Sequence, residues 1–71
     1  MKISNQALWY LTGLKKSKIL HDVNTSGGRP EPQAMQELVN AGYATVHNEE
    51  NTAIRTRYWV ITQAGESFLL N

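Results

Sequence analysis

At 71 residues the chain makes one small domain, residues 1–71, that buries only about 60% of its unfolded surface, so a partner subunit would help its stability. Hydrophobic content of 41% suits a folded globule, and charged content of 18% falls below the roughly 25% of soluble domains. A net charge of +1 gives almost no bulk attraction to nucleic acid or anionic lipid.

The chain starts MKISNQALWY, which has no apolar h-region or cleavage pattern and is not a secretory signal. Ser4 can cap a first helix over residues 4–13 whose buried side is Ala7, Leu8, Leu11 and Leu14. Trp9 and Tyr10 flank that stripe. Gly13 marks the expected end, since an interior glycine costs about 1 kcal/mol relative to alanine. Residues 14–25 admit two readings. Ser17 can cap a short helix carrying Ile19, Leu20 and Val23, or residues 18–21 can form a brief strand beside a later hairpin; periodicity does not separate them. NTSGGRPEP is then a loop by composition.

The next helix reads EPQAMQELVNAG. Ala34, Met35, Leu38 and Val39 fall on one side, while Gln33, Gln36, Glu37 and Asn40 fall at i, i+3, i+4 and i+7 on the other. Pro32 suits a first helical position with Glu31 as N-cap, and Gly42 suits a left-handed C-cap. YATVHNEENTAIRTRYWVIT is β-branched and aromatic at its ends and polar in the middle, a hairpin pattern with strands at 43–47 and 56–62. Residues 48–54 form a connection longer than a two-residue turn. Thr62 caps a closing helix over 63–70 that buries Ala64, Phe68 and Leu69. No apolar run approaches the roughly 20 residues needed to span a bilayer. The absence of cysteine excludes a disulfide framework and cysteine-ligated zinc, and a cytoplasmic location is the default.

LVNAGYATV looks like the end of a recognition helix, and RYWVITQAGESFL is similar to the exit from a wing. On these strings residues 30–70 resemble winged helix–turn–helix proteins, particularly the MarR-like and PadR-like repressors. The resemblance implies an α+β winged helix–turn–helix fold, with three helices, a C-terminal β-hairpin wing and a short closing helix. It implies that Thr62 caps a helix, that Gly65 permits close packing, that Trp59 and Ile61 point inward, and that Tyr58 and Val60 point outward. It also implies transcriptional control through double-stranded DNA, as a monomer or small homodimer, with the recognition helix in the major groove. The groove-facing set is then Gln33, Gln36, Glu37 and Asn40, with Arg29 just before the helix. Glutamine and asparagine can pair with adenine, and glutamate can accept from cytosine.

The cations lie elsewhere: Lys15, Lys16 and Lys18 in one cluster, Arg55 and Arg57 on the second hairpin strand, with Glu49 and Glu50 at the tip. If they and Arg29 faced one duplex, four or five phosphate contacts would make log K fall by about 4 per decade of salt. The alternative is an adaptor or inhibitor that binds protein and not DNA, through Tyr58, Val60, Tyr43 and Glu37, since aromatic residues are enriched at interface centres. Trp9, Tyr10, Phe68, Leu69 and Leu70 can form a helical dimer seam or ordinary core. No enzyme, metal or cofactor is expected. His21 beside Asp22 is a neighbour pair and not a triad, His21 and His47 lack companion ligands, and Gly27-Gly28 lacks the P-loop lysine. The small size is compatible with a phage or prophage accessory protein.

Overall fold

A computed structural model of the chain describes residues 3–23, 28–50 and 55–70, with Glu50 and Arg55 as backbone alone. Among these residues are three helices and a three-stranded antiparallel sheet. Their order is α1 (Asn5–Ser17), β1 (Ile19–His21), α2 (Pro32–Asn40), β2 (Ala44–Glu50), β3 (Arg55–Ile61) and α3 (Gln63–Leu70). The tip of the connection expected at 48–54 and the centre of the NTSGGRPEP loop lie outside the described residues.

Helix α1 begins as expected, with the Ala7 N–H donating to Ser4 Oγ at 3.1 Å. It does not stop at Gly13. The helix runs to Ser17 and closes on Lys18, whose φ of 71° is left-handed and whose N–H donates to the Leu14 carbonyl at 2.7 Å. Burying Leu14 completely outweighs the glycine's cost of about 1 kcal/mol, and Lys15 and Lys16 complement the helix dipole in the last turn. Leu8 is a second correction. The buried stripe is Ala7, Leu11 and Leu14, at i, i+4 and i+7, which leaves Leu8 on its shoulder and 38% exposed.

After Lys18 the chain forms a strand and not a helix. β1 pairs with β3 through Ile19↔Val60, Leu20↔Trp59 and His21↔Tyr58. β2 flanks β3 on its other side, so β3 is central, with Val46 opposite Trp59 and His47 opposite Tyr58. Both hairpin strands differ from expectation, β2 ending at Glu50 and β3 at Ile61. Alternation then divides the sheet. Trp59 and Ala44 are buried on the inner face, with Leu20 and Ile61 packed beside them. Ile19, Val60 and Thr45 form one row on the outer face, and His21, Tyr58 and His47 form the next.

Helix α2 buries Ala34, Met35 and Leu38. Pro32 opens it after an extended Glu31. At its end Gly42 takes φ 81°, the Gly42 N–H donates to the Val39 carbonyl and the Tyr43 N–H to the Leu38 carbonyl, at 3.0 and 2.9 Å. This is a Schellman termination, which turns the chain straight into β2. Thr62 Oγ1 holds both sides of the next junction: it accepts from the Gly65 N–H at 3.1 Å and donates to the Gly42 carbonyl at 2.7 Å. Gly65 is buried, and a Cβ there would collide with the Tyr43 carbonyl oxygen and approach Leu11 Cδ1 at 3.2 Å. Because α3 approaches through Gly65, Phe68 and Leu69 are half-buried and Ala64, expected inside, faces solvent. No helix among the described residues is long and apolar enough to cross a membrane.

Candidate functional site

The polar surface around α2 is shaped by two carboxylates. Glu37, expected to face outward with the amides, instead accepts hydrogen bonds from the Ser4 N–H and, at 3.0 Å, from Ser4 Oγ. Its charge therefore sits at the N-terminus of α1, where the helix dipole favours an anion. What remains on the outward side of α2 is neutral. Gln33, Gln36 and Asn40 are exposed, and Gln36 Nε2 donates to Asn40 Oδ1 at 2.9 Å, an i, i+4 amide pair. A second tie fixes where α2 starts: the Tyr10 hydroxyl accepts from the Glu31 N–H at 3.1 Å.

The other carboxylate is Asp22, just past β1. Arg29 donates to it from Nε at 2.9 Å and from a terminal nitrogen at 3.4 Å. Arg57 donates from a terminal nitrogen at 3.0 Å and from Nε at 3.3 Å. The Asp22 side chain is only 7% exposed, whereas Arg29 and Arg57 are 66% and 44% exposed. Hydrogen bonding from Arg29 holds the Asp22 carboxyl below the ordinary carboxylate range. Burial opposes this, and the hydrogen bond from Arg57 adds to the lowering. The Asp22 N–H also donates to the Arg57 carbonyl at 2.7 Å, extending the β1–β3 ladder by one bond. The Arg57 guanidinium carbon lies 5.0 Å from the centre of the Trp59 ring, within cation–π range.

The remaining cations divide. Lys18 forms an ion pair with Glu66 of α3 at 2.7 Å, which draws the Glu66 carboxyl below its ordinary value, with Lys15 adding a smaller electrostatic contribution. Lys16 is exposed and shares with Arg29 the lining of an apolar groove of about 490 Å³ beside Trp9, Tyr10 and Leu20. The Arg55 side chain lies outside the described residues. Lys15 and Lys18 are thus grouped with Glu66, while Arg29 and Arg57 are grouped with Asp22 before α2.

Among the residues expected at a protein interface, Tyr43 stacks on Phe68 with ring centres 4.6 Å apart, and so belongs to the α3 seam. Tyr58 stands between two histidines, 5.6 Å from His21 and 5.2 Å from His47, on the outer sheet face beside half-buried Val60. His21 Nε2 lies 3.9 Å from a Glu49 carboxylate oxygen, and His47 Nε2 is 2.9 Å from Thr45 Oγ1. Among the described residues no three histidine or acidic side chains come together as metal ligands. Trp9, which flanks the buried stripe of α1, is 70% exposed and lies edge-on to Tyr10.

The sequence does not single out Asp22, Tyr10 or Ser4 for these roles. The partners of Asp22 are 7 and 35 residues away, and the partner of Ser4 is 33 away, so no local spacing signals them. Comparison with family models, with curated proteins and with solved structures returned no match.

Proposed function

We propose that this chain is a winged-helix DNA-binding domain acting in transcriptional control, with α2 as the reading helix and the β2–β3 hairpin as the wing. The order helix, short strand, helix, hairpin supports the fold reading. Among the described residues no helix lies between β1 and α2, so α1 braces α2 directly, through Glu37 on Ser4 and Tyr10 on Glu31. One observation carries the functional reading. With Glu37 turned onto α1, the exposed polar side chains of α2 are the uncharged amides Gln33, Gln36 and Asn40, and Arg29, which shares Asp22 with Arg57, lies just before the helix. Amides read base edges, and Arg29 before the helix, paired through Asp22 with Arg57 of β3, supplies the phosphate contacts that such a row lacks.

Fluorescence anisotropy with random duplex tests this. Binding in the range of about 10⁻⁴ to 10⁻⁶ M near physiological salt, weakening steeply between about 50 and 200 mM salt, is the expected result. No binding at either salt overturns it. A second reading, a protein-binding module, is favoured by the outer sheet face, where Ile19 is 38% exposed next to Val60 and Tyr58. Loss of a protein partner on Ile19→Asp, with DNA binding absent throughout, would establish that reading instead.

A further inference from the structure

We propose that Asp22 is the positioning residue of a two-arginine phosphate clamp: its largely covered carboxylate sets the Arg29 and Arg57 guanidiniums side by side so that both grip one phosphate of the DNA backbone. The inference rests on the DNA-binding reading and assigns within it a role to an acidic residue, which charge counting alone would place against DNA.

Each arginine gives Asp22 two of its nitrogens, Nε and one terminal nitrogen, at 2.9 and 3.4 Å for Arg29 and 3.3 and 3.0 Å for Arg57. A guanidinium carries five N–H donors, so each keeps donors for another anion. Two cations and one anion leave a local charge of +1. The carboxylate is almost fully covered while both guanidiniums remain open to solvent. An incoming phosphate therefore meets the arginines and not the aspartate.

The described backbone beside the clamp is tied on the Asp22–Arg57 side and again at Glu31. Asp22 is held to Arg57 by the 2.7 Å bond from its N–H. Arg57 sits on the central strand over the Trp59 ring. Arg29 precedes a buried Pro30 and the Glu31 N–H that Tyr10 holds. A free arginine loses much rotamer freedom when it grips a phosphate, and one already held in place loses less. Preorganisation thus favours binding, while the carboxylate's charge opposes it. The two effects have opposite signs on removal of Asp22.

The experiment compares wild type with Asp22→Asn, Arg29→Lys and Arg57→Lys on random duplex across a salt series, folding being checked by circular dichroism. If the carboxylate positions the clamp, Asp22→Asn weakens binding about tenfold despite its added positive charge, and the slope of log K against log salt shrinks by about 0.9 for each phosphate that is no longer gripped. The lysine variants keep the charge and weaken binding similarly; should Asp22→Asn not fold, they carry the comparison. Unchanged or tighter binding by Asp22→Asn, or by both lysine variants, overturns the proposal. In parallel, inorganic pyrophosphate is titrated into wild type while the arginine Nε–H resonances are followed by NMR. Arg29 and Arg57 shifting together with one apparent Kd supports the clamp even if duplex does not bind, an outcome that removes only the DNA reading. Pyrophosphate shifting neither arginine, or only one, overturns the clamp whatever DNA does.

Discussion

Glu37 and Asp22 use the same functional group in different ways. Glu37 meets a neutral N–H and a neutral hydroxyl at a helix N-terminus, so its bonds remove a negative charge from the outward side of α2. Asp22 meets two full cations under cover, so its bonds hold positive charge in one place beside the start of α2. One carboxylate closes a helix end; the other orients side chains that stay open to solvent. The polar character of a surface is thus set by what each acid is bonded to, and not by a count of charges along the helix.

Both arrangements depend on α2 being seated on the core, and the largest expected effect breaks that premise. Leu38→Ala should destabilise the domain by about 2–5 kcal/mol in a denaturant melt, since Leu38 is fully buried. A loss under about 0.5 kcal/mol would mean that α2 does not rest on this core. Gly65→Ala should cost about 1–3 kcal/mol by the same measurement, because the added methyl meets the Tyr43 carbonyl. Wild-type stability there would free α3 from the Thr62 junction.

The next two predictions separate the carboxylates themselves. Glu37→Ala should lower stability by about 1 kcal/mol, as loss of a capping partner does. It should leave the Arg29 and Arg57 Nε–H resonances unmoved. The Asp22 contribution should depend on pH with a defined sign. Its folded pKa lies below the ordinary value, so the stabilisation is fully present above about pH 4 and is lost as pH falls through the lower folded value. Melting wild type and Asp22→Asn as a function of pH should therefore show a gap that narrows only on the acid side. A gap that widens there would contradict the ion-pair assignment. Gln36→Ala, at the small end, should change stability by less than about 0.5 kcal/mol, because Gln36 is exposed and its side chain bonds, among the described residues, to Asn40.

Much of the frame was legible in the chain. The Ser4 and Thr62 caps, the Pro32 start and the left-handed Gly42 follow from local rules, because a cap needs only near neighbours, while the inward Trp59 is what the winged-helix resemblance implied. The errors share one cause. Gly13 looked like a helix end and Ala64 like core, yet in each case long-range packing decided otherwise, through Leu14 in one and Gly65 in the other.

The sequence by itself determined the amphipathic 32–40 helix, its termination and the hairpin after it, since side-chain period and backbone preference act over a few residues. Tertiary structure alone decided that residues 19–21 form a strand, that Glu37 faces α1, and that Asp22 gathers Arg29 and Arg57. Each of those depends on groups far apart in the chain being brought within hydrogen-bond reach, and no spacing along the sequence encodes that.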